Sequence, residues 1–334
     1  MTIELFCNMV WKDSYENIKK SILKEDYKSF DIPKKNSKRT INYLEKNSKL
    51  FSLQKQLNEN YLSKFNLPVC VKGFQIGESY VSYLREHIGS RHFLRIDIAE
   101  FFPSITSEII KQECSCFIKC KSREDKEQIL DLICDVTTLD DKLPQGASTS
   151  PMLSNIVMAR IDQRILKYCQ VFNIKYTRYA DDMLFSSNSF NFEKKWFVKK
   201  IKYIVGTNGF KLNYSKLKMG NDELSLNGYV ISEQGLRLSR NRLSDIRHIL
   251  AFSKLNYGKA KDNEETFINE INKIELKHRD LSIYPFKTIF QFTQYLCGYR
   301  AFLISFIDEN DESIFQCNLK KLITKIEKNI LLYD

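Results

Sequence analysis

Residues 174–187 read Ile-Lys-Tyr-Thr-Arg-Tyr-Ala-Asp-Asp-Met-Leu-Phe-Ser-Ser, two β-rich apolar runs joined through an acidic pair. Aromatic and apolar residues flanking a short break predict two strands and a tight turn. The result is a hairpin that carries Asp181 and Asp182 at its tip. On a regular strand adjacent side chains point to opposite faces, so the two carboxylates need not play equal roles. Residues 93–98, Phe-Leu-Arg-Ile-Asp-Ile, form another alternating run, closed by Phe101-Phe-Pro-Ser, where Pro103 cannot continue a ladder. Two such strands side by side would bring Asp97 to Asp181. Carboxylates gathered at one sheet edge repel one another unless a cation intervenes. Oxygen ligands with room for water and phosphate suit Mg²⁺, with Mn²⁺ as a substitute. Two such ions can clamp the attacking and leaving oxygens of a phosphoryl displacement. For a bare Asp-Asp pair a solvated turn is the commoner outcome, but this pair has apolar strand on both sides.

The remaining pattern divides the chain in two. Residues 1–65 are basic and read as mostly helical, with a polar break at Asp31-Ile-Pro-Lys-Lys-Asn-Ser. Residues 106–120 and 122–136 have helical spacing, and Pro144-Gln-Gly is a turn. Ser150-Pro-Met opens a long helix to about Cys169, with Ser150 as N-cap and Pro151 in its first position. A helix is expected over 192–208, then short strands at 211–214 and 225–231. From about Leu238 the pattern is helical, broken at Asn256-Tyr-Gly and at Ser282-Ile-Tyr-Pro. The expectation is an α+β core over 1–238 and a separate α-helical module over 239–334.

Composition narrows the chemistry. At 334 residues and 43% apolar content the chain can bury more than one compact core. Its formal charge is +11, and residues 19–64 carry 12 Lys/Arg against 5 Asp/Glu, which suits a polyanion. With only four His, chemistry built on His–nucleophile pairs is not favoured. Gly is sparse, and neither GxGxxG nor GxxxxGK[ST] occurs, which argues against dinucleotide and P-loop sites. Cys114, Cys116 and Cys120 lack the paired C-x2-C spacing of zinc sites and are expected to be reduced thiols. No run of eighteen apolar residues and no signal-peptide pattern is seen, so the expected location is cytoplasmic, without a membrane partner.

The hairpin sequence Arg178-Tyr-Ala-Asp-Asp-Met-Leu-Phe-Ser resembles the Tyr-x-Asp-Asp signature of the reverse transcriptases. Other blocks follow in that family's order: Leu94-Arg-Ile-Asp-Ile-Ala-Glu-Phe-Phe-Pro-Ser, then Leu143-Pro-Gln-Gly-Ala-Ser-Thr-Ser-Pro-Met-Leu-Ser-Asn. Gly209-Phe-Lys-Leu-Asn-Tyr-Ser-Lys and Leu226-Asn-Gly-Tyr-Val-Ile resemble the block after the hairpin and the primer grip. Together they cover about residues 36–250. The resemblance implies a right-hand polymerase, with fingers and palm in the first region and a nucleic-acid-binding thumb in the second. It implies that Asp97 and Asp181 bind two Mg²⁺ ions, that Asp182 supports them, and that the Ile98 carbonyl adds a ligand. Phe102 would be the steric gate against a 2′-hydroxyl, with simple core packing as its alternative. Gln145, Gly146 and Arg39 would contact the incoming dNTP. Tyr179, Ala180, Lys216 and Gly228 would lie along primer and template.

The wording of these blocks is most similar to that of bacterial retron reverse transcriptases. Two elements depart from the retron pattern. Tyr83-Leu-Arg-Glu-His87 keeps only the His of Asn-Ala-x-x-His, and Leu226-Asn-Gly228 keeps only the Gly of Val-Thr-Gly. Retron membership would imply a cognate structured noncoding RNA, copied in part into single-stranded DNA that stays linked to it (msDNA). It would also imply a partner effector protein in anti-phage defence. His87, Arg240 and Arg247 would then contact RNA, with Arg237 and Arg242 on the same helical module. A structural role for His87 is an equal alternative. Rival readings are a non-retron defence enzyme with protein-primed or untemplated synthesis, and a catalytically silent RNA-binding scaffold.

Overall fold

The computed structural model describes all residues except 35–36, 278–280, 282–283, 308–313 and 334. Two of the expected breaks therefore fall partly outside the described residues, at Lys35-Asn36 and Ser282-Ile283. The chain forms two compact units: Met1–Leu224 with Ile231–Gly235, and Ser225–Val230 with Leu236–Asp334.

The first unit has the expected helices at its start, Ile3–Trp11, Tyr15–Lys20 and Lys49–Asn60, but sets an unexpected hairpin between them. Strands β1 (Tyr27–Lys34) and β2 (Ser37–Leu44) form an antiparallel hairpin with Phe30 opposite Ile41 and Lys28 opposite Tyr43. Aromatic and β-branched residues recur in both strands, and the Phe30 and Tyr43 rings meet edge-on at 5.7 Å. The interspersed lysines hide this period-two pattern in the sequence.

Strands β3 (His92–Ile98), β4 (Lys175–Tyr179), β5 (Asp182–Ser187) and β6 (Leu212–Asn221) make an antiparallel sheet in the order β4-β5-β3-β6. This is the expected hairpin paired to the expected strand. In its register Asp97 lies opposite Asp182, and Ile96 opposite Met183. Between β3 and β6 the register shifts: Arg95 pairs with Lys218 but Asp97 with Asn213, so the intervening stretch of β6 bows out. The helices Ser107–Cys114, Arg123–Thr137, Ser150–Gln170 and Lys195–Gly206 cover the core. The long helix buries Leu153, Ile156, Val157, Ile161 and Ile165 at helical spacing. Its N-cap is Thr149 rather than Ser150, whose hydroxyl instead donates to the Pro144 carbonyl at 2.6 Å.

The region 225–231, expected as one strand, is part of a hairpin. Strand β7 (Glu223–Leu226) turns through Asn227 and Gly228, both at positive φ (47° and 85°), into β8 (Tyr229–Ser232), and β9 (Gly235–Leu238) completes a three-stranded sheet. Asn-Gly is the pair that a two-residue turn of this hand favours. The second unit continues as helices Arg240–Leu255, Tyr257–Asp262, Glu264–Ile271, Ile289–Ile304 and Ile314–Ile330. Among the described residues no helix is long and apolar enough to cross a membrane.

Candidate active site

The β4–β5 turn is tied down from below. Ala180 sits at φ 56°, and its carbonyl accepts a 3.0 Å hydrogen bond from Arg178 Nη1. Arg178 is wholly buried and forks onto Asp162, also wholly buried, through Nε and Nη2 at 2.8–3.1 Å. The Tyr176 hydroxyl donates to the same carboxylate at 2.7 Å. The segment around Val71 runs parallel to β4, with Lys72 N donating to the Arg178 carbonyl at 2.8 Å. Gly73 permits this approach, since a Cβ there would lie 2.6 Å from the Ala180 nitrogen. The turn then delivers the Asp181 carbonyl to the Ile98 amide at 3.0 Å, locking the tip against the end of β3.

A cleft of about 710 Å³ opens over this junction. Asp97, Ile98 and Asp181 line it and Asp182 does not. Phe102, Gln145, Ala180, Arg39 and Lys216 line it as well. Phe101 is 5% exposed, with its ring 6.0 Å from that of Phe210, whereas Phe102 is only half-buried. The loop carrying Gln145 docks on β2, where its carbonyl accepts from Asn42 N at 2.8 Å. Gly146 follows at φ 125°, and a Cβ there would lie 2.6 Å from the Asn42 carbonyl oxygen. Tyr179 leans into an aromatic group, its ring 5.2 Å from Tyr80 and 6.3 Å from Phe74.

The carboxylates carry an electrostatic strain that two cations partly relieve. Lys216 Nζ, on the bowed stretch of β6, bonds both Asp97 oxygens at 3.0–3.1 Å. Arg95 Nη2 reaches Asp97 at 3.3 Å and also Asp182, and its Nη1 donates to the Lys216 carbonyl at 3.1 Å. Burial raises the Asp182 carboxyl to about 6, with Arg95 opposing and Asp181 reinforcing the rise. Burial and the neighbouring Asp97 likewise raise Asp181. No three His, Cys, Asp or Glu side chains among the described residues converge into a ready-made metal cage. The carboxylates are nonetheless all-oxygen, anionic donors, which fit a hard divalent cation.

Sequence reasoning missed Arg95, Asp162, Gly73 and Phe74. Arg95 was accessible in principle, because the period of two puts it on the same face as Asp97. Asp162 left no local signal, since its partner Arg178 lies on another element.

Two expectations change. His87 is wholly buried, with Nδ1 2.7 Å from Ser186 Oγ and Nε2 2.8 Å from Thr177 Oγ1. Burial, aided by Lys175, pushes its pKa down to about 3, so it is a neutral interior residue and its side chain has no surface to offer RNA. In the second unit Arg240 and Arg247 are exposed, but Arg242 is not a free phosphate contact. Its guanidinium lies 3.8 Å from the Phe302 ring centre and donates to the Asn227 carbonyl at 3.0 Å. Gly228 lies in the turn of the β7–β8 hairpin, where its carbonyl accepts from Ser239 N at 2.8 Å.

Comparison with known proteins gives this geometry a context. Residues 7–231 match the family model described as reverse transcriptase (RNA-dependent DNA polymerase). The chain is 29% identical over 227 residues to the retron Ec86 reverse transcriptase of Escherichia coli, covering 66% of this chain and 68% of that protein. It is 26% identical over 235 residues to the retron Se72 reverse transcriptase of Salmonella heidelberg, covering 68% of this chain and 61% of the relative, less than two thirds of its length. It is 31% identical over 261 residues to the retron Ec73 reverse transcriptase of Escherichia coli, covering 72% and 79%. Among solved structures, the telomerase of Candida albicans with a telomeric RNA fragment aligns at a TM-score of 0.48 and 14% identity, over 90% of this chain and 63% of that one.

Proposed function

Since the chain belongs to the reverse transcriptase family and is a retron-type, right-hand RNA-directed DNA polymerase, we propose that it copies part of a cognate structured noncoding RNA into DNA that remains joined to that RNA. The observation that supports this reading best is the meeting of Asp97, Asp181 and Asp182 at the paired ends of β3 and β5, beside the cleft that holds Phe102 and Gln145. On this reading the protein acts in the cytoplasm with a defence effector as partner.

Asp97 and Asp181, with the Ile98 carbonyl, would hold two Mg²⁺ ions, and Asp182 would support them from outside the cleft. Bound there, the ions supply charge stabilisation for transfer of a nucleotidyl group to a primer hydroxyl. The side chains do the positioning. Arg39 would draw the triphosphate into the cleft, and Gln145 would orient the nucleotide against the template. The half-exposed Phe102 ring would lie against the sugar and exclude a 2′-hydroxyl. Tyr179 would seat the primer end, with Ala180 leaving it space. The buried Asp162–Arg178 pair would hold the turn so that Asp181 keeps its place through each cycle.

The test is Asp181→Asn. DNA synthesis on poly(rA)·oligo(dT) should fall by about 10²- to 10³-fold, as expected when a charge-stabilising group is lost from a site of this kind. RNA binding should stay near the wild-type level. Retained synthesis would remove Asp181 from the metal site. For the retron reading, nucleic acid extracted from the purified protein should be a branched RNA–DNA molecule that yields to debranching enzyme.

A further inference from the structure

A second surface of the first unit has the chemistry of a nucleic-acid contact. From Lys194 to Asn221, 28 consecutive residues contain eight lysines and no Asp or Glu. Five of these lysines, 194, 195, 199, 200 and 202, are exposed on or beside the helix Lys195–Gly206. That helix buries Phe197, Val198, Ile201, Ile204 and Val205, so its basic face is set by the packing of the opposite one.

A lysine-rich face alone is ordinarily a solvated one. Here it is interleaved with exposed aromatic rings. Trp196 is 43% exposed and Tyr203 64%, and they share one face with Lys199 and Lys200 at helical spacing. Tyr214, 55% exposed on β6, extends the surface off the helix. The ammonium groups lie over these rings: Lys200 is 5.3 Å from the Tyr203 centroid, and Lys202 is 5.9 Å from that of Tyr214. None of the five lysines is ion-paired among the described residues. None of them, and none of the three aromatics, lines the cleft.

Cations that track phosphates, alternating with rings that accept unstacked bases, are what looped or single-stranded RNA requires. We infer that the face formed by Lys195, Trp196, Lys199, Lys200, Lys202, Tyr203 and Tyr214 is an RNA-anchoring surface separate from the polymerase cleft. It binds an unpaired or looped segment of the folded RNA whose other part is being copied. The lysines take the phosphates, and Trp196 and Tyr203 stack against bases. This rests on the reading of the chain as a polymerase that acts on a structured RNA.

The experiment compares full-length wild type with two variants, Lys195→Gln/Lys199→Gln/Lys200→Gln/Lys202→Gln and Trp196→Ala/Tyr203→Ala. The probe is a fluorescent RNA hairpin with single-stranded tails, titrated at several salt concentrations. Each phosphate contact contributes roughly 0.7–0.9 to the slope of log K against log salt, so losing four lysines should lower that slope by about 3. Binding at physiological salt should weaken by about 10- to 100-fold. The aromatic variant should weaken binding with an unchanged slope. Extension of poly(rA)·oligo(dT) should be unaffected in both. Wild-type affinity and slope in the lysine variant would overturn the inference. So would loss of binding to phosphatidylserine vesicles or polyglutamate while RNA binding persists. Failure of the wild type to extend the generic primer would instead count against the polymerase reading.

Discussion

Asp182 is where the electrostatics of the site become measurable. Its carboxyl titrates near 6 in the fold, against an ordinary value of 3.8, because burial disfavours its charge. A raised acid adds stability below its unfolded pKa and loses it as pH climbs through the folded one. Across pH 4–6 this group therefore makes the metal-free protein less stable as pH rises, and at neutral pH it is a standing cost. A divalent cation bound to the native state offsets that cost only once the carboxylates are ionised. Thermal melts should thus show a larger Mg²⁺-induced rise in Tm at pH 7.5 than at pH 5. An equal rise at both would mean the ion binds elsewhere. The adjacent phenylalanines give a second residue-level contrast. Phe102→Ala should raise ribonucleotide incorporation with little loss of stability. Phe101→Ala, in the core beside Phe210, should cost about 3–5 kcal/mol in a urea melt. If the two effects were exchanged, the gate would belong to Phe101.

At the scale of elements, the β4–β5 hairpin hangs on an ion pair that water does not reach. Arg178→Met leaves Asp162 buried without its partner and should cost about 3–5 kcal/mol. Replacing both with Met and Leu should recover most of that stability, yet leave the Ala180 carbonyl unheld and DNA synthesis impaired. Urea melts and primer extension on the same three proteins separate the two consequences. Recovery of synthesis along with stability would make the pair purely structural. The elements also explain what the sequence could disclose. The Asp-Asp hairpin and β3 were readable because apolar residues flank each carboxylate in strands that are largely buried. The hairpin of β1 and β2 was not, because lysines interrupt its alternation. The long helix was readable from Pro151 onward, while its cap moved by one residue once Ser150 bonded the Pro144 carbonyl. Asp162 and Arg178 are sixteen positions apart on a helix and a strand, and neither spacing nor periodicity connects them.

At the scale of the molecule, the boundary expected near 238 from the onset of the helical pattern lies close to the division between the compact units at Gly235 and Leu236, with one segment as the exception. Ser225–Val230 belongs with the tail. The reason is a set of contacts between residues far apart in sequence. The Tyr229 ring stacks on Phe306 at 5.1 Å and meets Phe302 at 5.5 Å, and Arg242 clamps the Asn227 carbonyl while lying over Phe302. A chain stopped after residue 238 would keep β3–β6 and their covering helices but lose every one of these partners. Its small β7–β8–β9 sheet should then open around the turn, because so few short strands without a packed hydrophobic face are marginal in water. Amide exchange makes the difference visible. In the full chain the amides of Tyr229 and Val230 should be protected, and in the truncated chain they should exchange at least about tenfold faster, as locally opened segments do. The amides of β3 and β5 should stay protected in both. Equal protection of Tyr229 in the two chains would show that the hairpin draws its stability from the first unit, and that the boundary does fall at 238.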